Sequence, residues 1–104
     1  MKIYNKLVRD KIPKVIKANG NITHTHVLSD DKEYLMALMD KLFEEAQELK
    51  DDLSLEELAD VLEVIYAIGE KLGYTANQIE AARVAKMTLR GGFNDRIFLE
   101  SVDE

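Results

Sequence analysis

The chain has 104 residues, with 14 basic and 20 acidic side chains and a formal net charge of −6. This length predicts a single domain over residues 1–104, because a second hydrophobic core has no room. The chain has no cysteine, which excludes a disulfide scaffold, a thiolate nucleophile and a cysteine-ligated zinc site. The acidic pI, near 4.9, argues against nucleic acid as a partner. No apolar run is long enough for a membrane span, and the start lacks a secretory leader, so we expect a cytoplasmic protein that does not bind membranes.

The first third of the chain predicts a short helix followed by a short strand. Residues 10–19 combine Asp10 as a cap, Pro13 in the first turn and Gly20 as a stop. Residues 22–28 are rich in β-branched side chains and alternate in polarity, which is typical of a strand. The alternating segment 96–102 could pair with it, so the sequence predicts a minor two-stranded β ribbon.

Three capping signals predict three longer helices in the rest of the chain. Each signal is a Ser, Thr or Asp followed three positions later by Glu or Gln: Asp30 with Glu33, Ser54 with Glu57, and Thr75 with Gln78. The helices are predicted over about 31–50, from 55 to about 72, and from 76 to the glycine pair at 91–92. The predicted fold is therefore an all-α antiparallel bundle of four helices, with two long central ones.

Two glutamates fall on helix faces that are otherwise apolar. At ~100° per residue, Glu45 lies about 20° from Leu38 within the apolar stripe of the first long helix. Glu57 lies between Val61 and Val64 in the stripe of the second. An ionised carboxylate on a buried face is costly unless it is paired or binds a metal.

Two further carboxylates, Glu48 and Asp60, lie at the edges of the same stripes, each ~60° from its partner. The short turn makes the two helices antiparallel, so Glu45 stands opposite Asp60 and Glu48 opposite Glu57. Four converging carboxylates repel one another unless a cation lies between them, and hard oxygen ligands suit Mg²⁺ or Mn²⁺. The alternative is ordinary surface charge on an acidic segment. Two pairs at mirrored distances favour the metal site.

Basic residues form two groups that could meet a phosphate. Arg83, Lys86 and Arg90 share a ~60° sector of the last helix, which fits either a polyphosphate ligand or a solvated face. Lys6 and Arg9 lie in a second group near the amino end, for which plain surface charge is the simpler interpretation. The phosphate-binding patterns GxxxxGK[ST] and GxGxxG do not occur.

The acidic motifs resemble those of a known family. Glu45-Ala-Gln-Glu48 followed by Glu57-Leu-Ala-Asp60 resembles the ExxE…ExxD metal motif of the all-α nucleoside triphosphate pyrophosphohydrolases. That superfamily includes MazG-like enzymes and phosphoribosyl-ATP pyrophosphohydrolase. Segments 4–13, 56–65 and 86–100 resemble one MazG-like branch, so the resemblance covers almost the whole chain. The spacer between the two motifs is shorter than in many members, and the base pocket is not carried over.

The resemblance implies a reaction, a cofactor and a set of site residues. Mg²⁺, with Mn²⁺ as a possible substitute, would be held by the four carboxylates: Glu45, Glu48, Glu57 and Asp60. The matching carboxy-terminal positions imply phosphate contacts from Lys86 and Arg90, with Arg9 and Lys6 as weaker candidates. Glu48 would orient or deprotonate the attacking water. The family also implies a homodimer or higher homo-oligomer.

The leading hypothesis is Mg²⁺-dependent hydrolysis of a modified or surplus nucleoside triphosphate to the monophosphate and pyrophosphate. A second enzymatic hypothesis is phosphoribosyl-ATP pyrophosphohydrolase, with the same metal chemistry on a larger substrate. A hypothesis from a different class is a non-catalytic helical interaction module. That module would fold normally but would neither bind Mg²⁺ specifically nor release pyrophosphate.

Overall fold

The computed structural model describes residues 1–103 and contains four helices in that range. Their bounds are Ile12–Ala18 for α1, Asp31–Asp51 for α2, Leu55–Lys71 for α3 and Ala76–Arg90 for α4. The all-α class is confirmed, and the three long helices agree with the predicted bounds to within a residue or so. None of the helices in the described range is both long and apolar enough to cross a bilayer.

The caps explain where the helices begin. Asp30 accepts a hydrogen bond from the backbone N–H of Glu33 at 2.9 Å and caps α2. Thr75 and Gln78 form a complete capping box at α4, with reciprocal hydrogen bonds of 3.1 and 2.8 Å. Each cap satisfies amide groups that have no partner inside the helix.

The predicted Asp10 cap is wrong, because α1 begins at Ile12 with Lys11 in the cap position and no side-chain hydrogen bond there. Pro13 does lie in the first turn, where its missing N–H costs nothing. The backbone N–H of Ile12 instead donates to the carbonyl of Arg9 at 3.0 Å. A backbone turn therefore does what the Asp10 side chain was expected to do.

Helices α2 and α3 form an antiparallel hairpin that contains the core. Leu38 and Val64 are its buried apolar residues among those described. An ion pair of 2.7 Å joins Asp31, at the start of α2, to Lys71, at the end of α3, which fixes the antiparallel sense. Helix α4 touches α3 where Ile79 packs against Gly69, and α1 packs against none of the other helices.

The predicted β ribbon is not shown, because residues 22–28 and 96–102 contain no strand in the described part of the chain. Both segments are largely exposed, and Val27 and Phe98 retain 90% and 87% of their accessible surface. A two-stranded ribbon is marginal unless it packs on something. Within one copy of the chain, neither segment has a surface of this kind to cover it.

Candidate metal centre

The α2–α3 hairpin brings together three of the four predicted metal ligands. Glu45 comes from α2, and Glu57 and Asp60 come from the first turns of α3. Each offers a carboxylate oxygen, and these three oxygens all lie within 4.8 Å of one another. The short connection over residues 52–54 produces this convergence, because it folds the end of α2 back onto the start of α3. We call these three residues, with Glu48 at their edge, the acidic centre.

Burial makes the acidic centre unusual. Glu45 is 6% exposed and is the one buried charged residue in the described range. Its Oε1 pairs with the Lys41 ammonium at 3.2 Å, but its Oε2 is buried without a hydrogen-bond partner. Glu57 Oε2 is buried and unpartnered in the same way. Native proteins rarely leave buried polar atoms unsatisfied, and two such oxygens in one acidic cluster are an arrangement that could hold a cation.

The orientation of Glu57 departs from the expected capping box. Ser54 accepts a hydrogen bond from the Glu57 backbone N–H at 3.2 Å, so half of the box forms. The Glu57 carboxylate does not return to the Ser54 amide but joins the acidic centre. Its pKa is raised by burial and then by the negative charges of Asp60 and Glu45.

Glu48 lies at the edge of the acidic centre and is exposed. It is not one of the three residues whose oxygens converge. Its pKa is raised first by interaction with the neighbouring Glu45 side chain, then by desolvation and by the charges of Glu45 and Glu57. A carboxyl that holds a proton more firmly than usual, at the open side of the cluster, can exchange that proton with a water molecule.

Three basic side chains surround the acidic centre. Lys41 pairs with Glu44 at 3.3 Å as well as with Glu45, and its side chain is only 15% exposed. Lys6 binds Glu44 at 2.6 Å, and Arg9 binds Asp60 at 2.5 Å. The Glu44 pairing raises the pKa of Lys6. Sequence reasoning missed Lys41, although its position four residues before Glu45 is the ordinary spacing of a helical ion pair.

The basic stripe of α4 is not brought to the acidic centre within one copy. Lys86 and Arg90 are exposed, and no ion pair joins them to its carboxylates in the part of the chain that the structure describes. Arg83 pairs along its own helix with Glu80, at 2.5 Å. The weaker sequence candidates, Lys6 and Arg9, are thus the ones beside the site.

Comparisons with known proteins leave the family open. The chain is similar to an uncharacterized protein of Mycolicibacterium smegmatis (strain ATCC 700084 / mc(2)155), with 51% identity over 45 residues. The matched segment covers 43% of this chain and 45% of that relative, so it spans less than half of either protein. No family model matches the chain, and no solved structure matches it.

Proposed function

We propose that the acidic centre binds Mg²⁺ and that the chain is a MazG-like nucleoside triphosphate pyrophosphohydrolase. The observation that carries the proposal is the pair of buried, unpartnered oxygens, Glu45 Oε2 and Glu57 Oε2, in a cluster that Asp60 completes. Oxygen-only ligand sets suit Mg²⁺ or Mn²⁺ rather than softer metals. The resemblance of the ExxE…ExxD motifs connects this donor set to nucleotide chemistry.

The four carboxylates of the acidic centre would have different roles, which depend on how buried each one is. Glu45, Glu57 and Asp60 would hold the cation, because their carboxylates converge and Glu45 and Glu57 each have one buried oxygen without a hydrogen-bond partner. Bound Mg²⁺ would supply charge for the phosphates and lower the pKa of a coordinated water. Glu48, exposed and with a raised pKa, would orient the attacking water and accept its proton.

Phosphate charge needs cationic partners besides the metal. Lys6 and Arg9 stand at the rim of the acidic centre through their pairs with Glu44 and Asp60. Lys86 and Arg90, implied by the family resemblance, are solvent-exposed on α4 and have to be brought to a site by another copy of the chain or by movement of α4. Guanidinium and ammonium groups stabilise the charge that develops on phosphates during hydrolysis.

We also propose that the chain works as a homodimer or higher homo-oligomer. Its accessible surface is 9707 Å², against roughly 5,900 Å² for a compact monomer of this mass. The radius of gyration is 17.9 Å, where a compact domain of this length has about 13 Å. This surplus surface is several times the roughly 800 Å² per partner that a standard interface buries.

The proposed reaction is tested by product analysis on a panel of normal and modified nucleoside triphosphates, with phosphoribosyl-ATP included. Each compound is incubated with Mg²⁺ and, in parallel, with EDTA. The proposal expects pyrophosphate and the monophosphate in equal amounts from at least one triphosphate, and only with Mg²⁺. Turnover of phosphoribosyl-ATP alone would favour the second enzymatic hypothesis. A folded protein that releases nothing from any of them would favour the interaction module.

A further inference from the structure

The first eleven residues form an irregular segment that reaches the α2–α3 hairpin. This segment, the amino-terminal arm (residues 1–11), contains neither a helix nor a strand. Lys6 pairs with Glu44 of α2, and Arg9 pairs with Asp60 of α3. The two pairs, three residues apart on the arm, join it to both helices of the hairpin.

Little else in the described range attaches this end of the chain. Residues 1–6 are exposed, and α1, which follows the arm, packs against no other helix. Leu7 and Val8, between the two cationic residues, are half-buried. The attachment therefore depends on the short stretch 6–9, and losing one of its ion pairs should loosen the arm.

Arg9 binds a carboxylate that the acidic centre also uses. Its guanidinium lies 2.5 Å from Asp60 Oδ1, while an Asp60 oxygen lies within 4.8 Å of oxygens of Glu45 and Glu57. A divalent cation among these oxygens would repel the guanidinium and draw the Asp60 charge toward itself. Arg9 is 54% exposed along its side chain, so water can take over its hydrogen bonds when it leaves.

We propose that Arg9 is the cation that the acidic centre carries when it holds no metal, and that a divalent cation displaces Arg9 from Asp60 and loosens the amino-terminal arm. This inference rests on the metal centre of the proposed function. Because such coupling is reciprocal, whatever draws the arm away raises the affinity for the metal. A polyphosphate that pairs with Lys6 and Arg9 would therefore help the metal to bind.

The test follows the arm and the metal separately. The chain has no cysteine, so an Ile3→Cys variant, at a position 65% exposed, takes a single fluorescent dye on the arm. Dye anisotropy reports the freedom of the arm during a Mg²⁺ titration, and calorimetry gives the Mg²⁺ affinity. Both are measured in the otherwise wild-type chain, in Arg9→Gln and in Lys6→Gln. Lys6→Gln removes the same charge from the same arm but leaves the Asp60 pair intact.

The proposal expects Mg²⁺ to lower the anisotropy of the chain that retains Arg9. Arg9→Gln should start at the lower value, change little on titration, and bind Mg²⁺ more tightly, by up to about fivefold, as for an exposed ion pair at the upper end of its range. Lys6→Gln also loses one of the two ion pairs, so it should start at a lower anisotropy too. It should gain less affinity and should still respond to Mg²⁺, because Arg9 remains paired with Asp60.

Three results would overturn this inference. The first is Mg²⁺ binding without a change in anisotropy, and the second is weaker binding by Arg9→Gln. Both would leave the metal centre in place and show that Arg9 does not compete for it. The third is the absence of Mg²⁺ binding to every variant, which would overturn the metal centre itself along with this inference.

Discussion

Glu57 shows how a single residue can have a local role and a competing long-range one. Its position three residues after Ser54 is that of a capping-box glutamate, and its backbone N–H does bind the Ser54 hydroxyl. Its side chain nevertheless joins Glu45 and Asp60, with Oε2 buried and unpartnered. The Glu57 carboxylate therefore lies in the charge cluster instead of capping α3. Departures of this kind from local sequence rules are expected at functional sites.

Replacing Glu57 with Gln should stabilise the metal-free protein and weaken metal binding. Neutralising the side chain removes a partly buried charge whose pKa is already raised by desolvation and by Asp60 and Glu45. In EDTA, we expect a higher midpoint of thermal unfolding. We expect Mg²⁺ affinity to fall by at least the roughly 10–100-fold that even outer-shell partners of a metal are worth.

The matched control is Glu56→Gln, which makes the same chemical change one position earlier on the same helix. Glu56 is exposed and is not one of the three converging residues. The Glu56→Gln substitution should leave the Mg²⁺ affinity unchanged and should have only a small effect on the midpoint of thermal unfolding. A Glu57→Gln protein that is less stable than wild type in EDTA would show that Glu57 has a structural role.

The convergence of the acidic residues could be predicted from sequence, whereas which of the basic residues lie beside them could not. Glu45, Glu57 and Asp60 converge because helical periodicity and a short turn determine where they lie. The pairs of Lys6 with Glu44 and of Arg9 with Asp60 join residues 38 and 51 positions apart. No periodic pattern encodes such contacts, since they depend on the path of a segment outside the helices.

At the scale of elements, the beginnings of the long helices follow directly from their capping residues. Asp30, Ser54 and Thr75 each accept a hydrogen bond from the amide three residues on. What could not be predicted is how α4 packs, because its approach to α3 depends on Gly69 giving room to Ile79. The sequence therefore predicted that Lys86 and Arg90 share one helix, but it did not predict what lies opposite them.

The capping box at α4 gives a prediction about this loosely packed helix. Thr75→Ala should lower the free energy of unfolding by about 1 kcal/mol, since it leaves the backbone N–H of Gln78 without its acceptor. Thr88→Ala is the control in the same helix, because that hydroxyl only donates back to the Val84 carbonyl and is not a cap. Urea unfolding measures both variants. A Thr75→Ala variant that loses no more stability than Thr88→Ala would show that the cap does not stabilise α4.

At the scale of the whole molecule, one copy of the chain leaves many large apolar side chains exposed. Leu58, Leu62 and Ile65 form a stripe on α3 and keep 54%, 46% and 36% of their accessible surface. At ~100° per residue, the three lie within about 60° of one another and form one apolar face. In one copy, α2 covers Val64 but leaves this stripe exposed.

The proposed assembly predicts that a charge in this stripe separates the copies. Leu62→Glu should shift the mass in solution toward the monomer, because a carboxylate in an apolar interface is costly to bury. Leu53→Glu is the control, since Leu53 lies in the α2–α3 connection and is 86% exposed. Light scattering coupled to gel filtration gives the masses. A wild-type chain that is monomeric at high concentration would contradict the proposed assembly.

The most direct measurement of the central claim is Mn²⁺ binding followed by electron paramagnetic resonance, which distinguishes free from bound ion. We expect wild type and Glu56→Gln to bind Mn²⁺ with the same affinity, Mg²⁺ to compete for the site, and both Glu45→Gln and Glu57→Gln to lose most of the binding. Equal Mn²⁺ binding by wild type, Glu45→Gln and Glu57→Gln would contradict the claim, because the buried oxygens would then not be the ligands.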